Sequence, residues 1–241
     1  MELDLIEIWT HMANIVRAVV VALTIQAVAC IAVTLDRVLL LWTSGRKSRK
    51  FAKEAGPLMA KGDHEGVLAV AKKHGGHLAS FIETGLKTFT DRRRSGLSAE
   101  KSATLANRAL ERKGENLSGS LNRGMNILAS TGSTAPFIGL LGTVLGILQA
   151  FKLIAKEGSG GIDTIGAAIG EALIVTGYGL LVAIPSVLLF NWLSARIAHY
   201  ETGLSNAGSE LVDQLEGDVF GQEAAAANED ELGELEPAPA E

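Results

Sequence analysis

Charge is missing from long parts of this chain. No charged side chain occurs from Gly124 to Phe151, nor from Ala172 to Ala195. Cysteine occurs once, at Cys30, which excludes an intramolecular disulfide framework. Aromatic residues make up 5% of a chain that is 47% apolar and carries 27 glycines, a balance that suits small-residue helix packing in lipid better than a soluble core. Catalytic groupings are missing too: there is no Ser/His/Asp or Cys/His arrangement, so an enzyme is not expected. His64, His74 and His77 lack a Cys or acidic partner at metal-ligand spacing, so no metal is expected and they read as surface residues. The glycine run Gly158–Gly161 lacks the Lys-Ser/Thr of a phosphate-binding loop.

What is present is three apolar runs. The first spans 15–42, with an uncharged stretch from Ala18 to Leu35. Eighteen helical residues cover about 27 Å, enough for a hydrocarbon core. Glu2, Asp4 and Glu7 precede this run where a secretory signal would carry positive charge, so it reads as an uncleaved anchor. Ala27-Val28-Ala29-Cys30 resembles a lipoprotein processing site, but the residues after it stay apolar. The second run spans 125–151 and the third 162–193.

The charges sort these runs. Residues 43–124 carry 17 Lys/Arg against 8 acidic residues, whereas 201–241 carry 12 Asp/Glu and no Lys or Arg. Positive-inside then places 1–14 in the periplasm, 43–124 in the cytoplasm, 152–161 outside and the C-terminus in the cytoplasm. The basic stretch beside span one reads as topology and lipid-headgroup contact, not nucleic-acid binding. The expected fold is an all-α integral membrane protein with three transmembrane helices and long cytoplasmic helical extensions. Asp63 caps a short helix that stops at Gly75-Gly76; a second spans 78–92; Ser98 caps a third. Without a proline before Pro136, that third helix runs on into span two as a rod from 99 to 151 if unbroken. Residues 194–220 extend span three, and 221–241 form an acidic tail with too little to bury, expected to be disordered.

One carboxylate, Glu171, lies inside the third run. An ionisable group at membrane depth costs a few kcal/mol or more unless it faces a partner or a wet cavity, so Glu171 is a site candidate by default. Gly139, Thr143 and Gly146 share one face of span two, and Gly142–Gly146 forms a GxxxG pair. Thr176 and Gly179 belong to a similar stripe on span three. With Phe151 and Ile162 as the outer ends, Thr143 lies about 12 Å, Glu171 about 14 Å and Thr176 about 21 Å inward, a polar seam at graded depth. Tyr178, seven residues after Glu171, extends the seam or packs. Glu171 either conducts or fixes subunit register.

APFIGLLGTVLGI (Ala135–Ile147) and GEALIVTGYGLLVAIPSVLLFN (Gly170–Asn191) closely resemble the MotA/TolQ/ExbB proton-channel family, in its three-span ExbB/TolQ branch. The resemblance implies pathway roles for Thr143, Glu171 and Thr176, and a helix-packing role for Pro185 beside Gly139, Gly142, Gly146 and Gly179. It implies a ring-forming homo-oligomer, a pentamer, around two copies of an ExbD/TolR-like single-span partner in the bacterial inner membrane. No cofactor is implied; the coupling ion is a proton, with sodium as its alternative. The chain departs from the family pattern at Ala167-Ala168, where Pro-Gly is frequent, and at Tyr178, where Ile is usual. The implied function is a motor subunit powered by the proton-motive force, driving outer-membrane energising, envelope maintenance or gliding motility. The rivals are a non-conducting membrane scaffold and a small transporter subunit.

Overall fold

In a computed structural model, residues 9, 12–157 and 162–233 are described, and they contain six α-helices and no strand. These are α1 (Asn14–Met59), α2 (His64–His74), α3 (His77–Arg94), α4 (Ala99–Leu121), α5 (Met125–Glu157) and α6 (Ile162–Gly233). Three of them, α1, α5 and α6, are long and apolar enough to cross a membrane. The protein is therefore an all-helical, multi-pass membrane protein.

Short polar signals end the helices. Asp63 caps α2, its Oδ1 accepting the Gly66 N–H at 2.9 Å. Gly75 and Gly76 follow α2 at φ 59° and 91°, a left-handed region that favours glycine. Ser98 precedes α4 and its Oγ lies 3.4 Å from the Lys101 nitrogen.

The rod from 99 to 151 does not form. Helix α4 stops at Leu121 and α5 begins at Met125, with Gly124 between them at φ +82°. A Cβ on Gly124 would also lie 3.2 Å from Val33 Cγ1, so the turn is built on a residue that is free in φ and small enough to approach α1. At the other end, α6 runs past Gly221 to Gly233 as backbone helix. The stretch after Gly221 is rich in Ala and Glu, which are strong helix formers, and this is the physical reason that a helix can continue where little is buried. Residues 234–241 of the expected tail lie outside the described residues, as does the Gly158–Gly161 loop.

The chain divides into two compact units. One comprises Met1–Leu39 and Asn122–Arg196; the other comprises Leu40–Leu121 and Ile197–Glu241. The first is centred on Met12, Val16, Val19, Leu23, Val175 and Val182. Its outward faces are apolar: Phe137 is 71% exposed, Leu181 66% and Ile25 64%, as expected where the surrounding solvent is hydrocarbon. The second unit has a conventional core of Phe51, Val67, Phe81, Ile82, Leu86 and Leu211. Hydrogen bonds link Ser48 to Tyr200 (2.8 Å) and Ser44 to His77 (3.2 Å) within it. Glu54 binds Lys73 Nζ at 2.9 Å, and His74 Nε2 lies 2.9 Å from its other oxygen without hydrogen-bond alignment. His64 meets the Phe89 ring edge-on.

Candidate functional site

The site lies in the first unit, where α5 and α6 run against each other. Their contact is backbone to backbone. A Cβ on Gly179 would stand 2.7 Å from the Ala135 carbonyl oxygen and 3.0 Å from Gly139 Cα. One on Gly139 would stand 3.2 Å from both Gly179 Cα and Thr176 Cα. Gly146 meets the Cβ of Ala172, 2.7 Å from where its own would stand, and Gly142 faces Val175 with Val19 of α1 close behind. Small residues at three- and four-residue steps create this approach because they fall on one helix face.

Close approach brings the threonines together. The Thr143 and Thr176 hydroxyls bond to each other across the two helices. Thr176 Oγ1 lies 2.9 Å from the Gly139 carbonyl oxygen, and Thr143 Oγ1 lies 3.3 Å from that oxygen and 3.5 Å from Ala172 O. Each hydroxyl has one hydrogen to give. When Thr176 donates to Gly139 and Thr143 donates to Thr176, both donors are used. The capacity that remains on the pair is acceptor lone pairs. Such a pair suits a protonated acid or another proton-bearing group better than an ionised carboxylate.

The two threonines therefore share one depth, and the graded seam does not form in the expected order. The reason is the true end of α5. Helix α5 continues past Phe151 to Glu157, so Thr143 lies fourteen residues from its outer end. Thr176 lies fourteen residues from Ile162, where α6 begins. Glu171 is half-buried and about 7.5 Å further out along α6. Five residues also turn the helix by about 140°, so Glu171 and Thr176 occupy different faces.

Glu171 instead heads the stripe that contains Val175, Tyr178 and Val182. Val175 and Val182 are core residues packed with Val16, Val19 and Leu23 of α1. Tyr178 Oη lies 3.0 Å from Thr24 Oγ1, itself 2.8 Å from the Val20 carbonyl. Tyr178 thus packs on α1 within the chain, through a polar contact that the apolar first run hides. Thr24 is the partner that sequence reasoning missed, because span one reads as an anchor alone. Pro185 is exposed within the single chain, since six residues beyond Gly179 the helix has turned by about 240°, off the α5-facing side. Near it, Val187 packs over Gly132, and Ser186 is buried with its Oγ donating to Val182 O at 2.7 Å and lying 3.4 Å from Cys30 Sγ.

Among the described residues no group of three His, Cys, Asp or Glu could hold a metal ion. A family model described as the MotA/TolQ/ExbB proton channel family matches residues 75–206, more than half of the chain. The chain belongs to that family. Within it the likeness is to the ExbB branch. "Biopolymer transport protein ExbB" of Xanthomonas campestris pv. campestris (strain B100) is 51% identical over 87 residues, 36% of this chain and 34% of that protein. The protein of the same name from Pseudomonas putida is 36% identical over 136 residues, covering 56% of this chain and 40% of the relative. That from Neisseria gonorrhoeae is 54% identical over 71 residues, 30% of this chain and 32% of the relative. The chain thus spans between about a third and two-fifths of the length of these curated relatives. All of α5 and the glycine-lined part of α6 lie inside the matched region, which ends at residue 206 while α6 runs on to Gly233; α1 lies before it.

Proposed function

We propose that this chain is the ring subunit of a motor of ExbB/TolQ type, driven by the proton-motive force across the bacterial inner membrane. Its N-terminus lies in the periplasm and its C-terminus in the cytoplasm. In this reading five copies surround two copies of an ExbD/TolR-like single-span partner, and no cofactor takes part. The coupling ion is a proton, with sodium as its alternative, since hydroxyl lone pairs accept from a protonated acid and also coordinate a hard cation. The partner supplies the carboxylate that this chain lacks beside its threonines. Once protonated, that acid donates to Thr143–Thr176; once ionised, it loses that bond and is released. Each charge that crosses yields about 2.3 kcal/mol per 100 mV to turn one component against the other. The work done at the envelope is outer-membrane energising, envelope maintenance or gliding motility.

The observation that carries this reading is the hydroxyl pair at the closest point of two membrane helices. Its test is proton flux through the co-expressed complex, normalised to assembled particles. Thr143→Val and Thr176→Val are expected to cut flux at least about ten-fold, the equivalent of a hydrogen bond of about 1.5 kcal/mol to a charged or proton-sharing group. Serine at either position is expected to restore it. Wild-type flux from both valine variants would remove the pair from the pathway.

The hydrogen bonds to Gly139 favour a second reading, a non-conducting scaffold in which the threonines only join helices. That reading requires the wild-type complex to carry no proton flux above that of empty membranes, while the valine variants lower assembly alone. The oligomer sizes of Glu171→Ala and Glu171→Gln separate a packing role of that residue from an electrostatic one.

A further inference from the structure

On the side of α6 away from the threonine pair, the first unit contains a pocket of about 400 Å³ between α6 and the start of the chain. Its wall includes Trp9, Met12, Val20, Thr24, Tyr178 and Leu181. Its lining is nearly all carbon. The two hydroxyls in it are consumed locally, with Thr24 placed to donate to Val20 O at 2.8 Å and Tyr178 to Thr24 at 3.0 Å. A buried water needs two to four polar partners. This pocket does not supply them, so its natural occupant is apolar.

Depth and charge narrow the choice. From Ile15 to Thr24 the helix descends about 14 Å. Half of a hydrocarbon core is about 15 Å. The pocket therefore covers one leaflet, from the interface almost to the midplane. Its mouth has an interfacial pair: Arg17 Nε donates to Trp9 O at 3.0 Å, and the guanidinium carbon lies 5.8 Å from the Trp9 ring centroid. A Trp at headgroup level with a guanidinium beside it marks the height of lipid phosphates. We propose that the pocket is a lipid site, holding one acyl chain of a phospholipid from the leaflet in which α1 begins, with its phosphate beside Arg17. The tail lies against the Tyr178 stripe, two turns below Glu171, so this lipid is part of the packing between α1 and α6.

The site is tested on the full chain in nanodiscs of phosphatidylethanolamine and phosphatidylglycerol with a trace of phosphatidylglycerol carrying a photoactivatable group in one tail. Peptides containing Val20–Thr24 and Ile174–Leu181 are expected to be labelled at least about five-fold above the peptide containing Leu140 and Leu141, which are openly exposed. Filling the pocket with Val20→Trp or Leu181→Trp is expected to abolish the excess and leave the control peptide unchanged. Arg17→Gln is expected to erase any preference for the anionic lipid over a zwitterionic probe. Equal labelling of pocket and control peptides in the wild type, which needs no variant to fold, would overturn the proposal by showing ordinary boundary lipid. So would photocrosslinks from a probe at position 20 that join two copies of the chain and capture no lipid, because a neighbouring subunit would then cover the pocket.

Discussion

At the scale of single residues, the polar groups in the membrane unit are arranged in two separate sets. Thr143 and Thr176 join α5 to α6, while Thr24 and Tyr178 join α1 to α6. The first set has its donors spent and acceptors in reserve, which is why it is the better candidate for meeting a mobile acid. The second is a clasp. Membrane hydrogen bonds of this kind are worth about 0.6 kcal/mol on average. A double-mutant cycle of Thr24→Val and Tyr178→Phe, followed by unfolding in detergent, is expected to give a coupling of that order, with proton flux per assembled particle preserved. A coupling of zero would mean that the two hydroxyls are neighbours without mutual stabilisation. Loss of flux in Tyr178→Phe would move the tyrosine into the pathway.

Between elements, glycine sets the distance. The Gly139–Gly179 contact has backbone on both sides, so neither partner can yield as a flexible side chain would. Gly179→Ala is expected to cost about 1–3 kcal/mol, the range for overpacking, and to part the threonines. Gly177→Ala is the matched control, since a Cβ there meets nothing within 4 Å. Thermal unfolding in detergent should therefore show a lowered midpoint for the first and an unchanged one for the second. The stripes that make this contact were legible from residue spacing, as were the three spans and the cap at Asp63. The break at Gly124 was not, because the absence of proline does not ensure continuity: a positive φ at glycine ends a helix equally well. Depth is hidden in the sequence for a related reason. Phe151 looks like an outer end since Lys152 follows it, but a helix does not stop where its apolar run stops. Glu171 is separated from Thr176 by about 7.5 Å of rise and about 140° of rotation, and depth without azimuth conceals the second.

For the whole molecule, the decisive quantity is the distribution of charge along the chain. Residues 43–124 hold 17 Lys/Arg, whereas the segment that joins spans two and three holds only Lys152 and Lys156. Orientation depends on this asymmetry, because Lys and Arg near span ends resist translocation while acidic residues contribute little. The strongly acidic stretch after Glu201 consequently says less about sidedness than its size suggests. In a Cys30→Ser background, a membrane-impermeant thiol reagent applied to cells with a permeabilised outer envelope should label Ser159→Cys. It should label Lys61→Cys, at an exposed turn between α1 and α2, only after lysis. The reverse pattern would place the basic unit outside and would invert the direction in which the proposed motor takes its proton. Labelling of both positions in sealed cells would mean a mixed population, incompatible with a ring whose copies must all face one way.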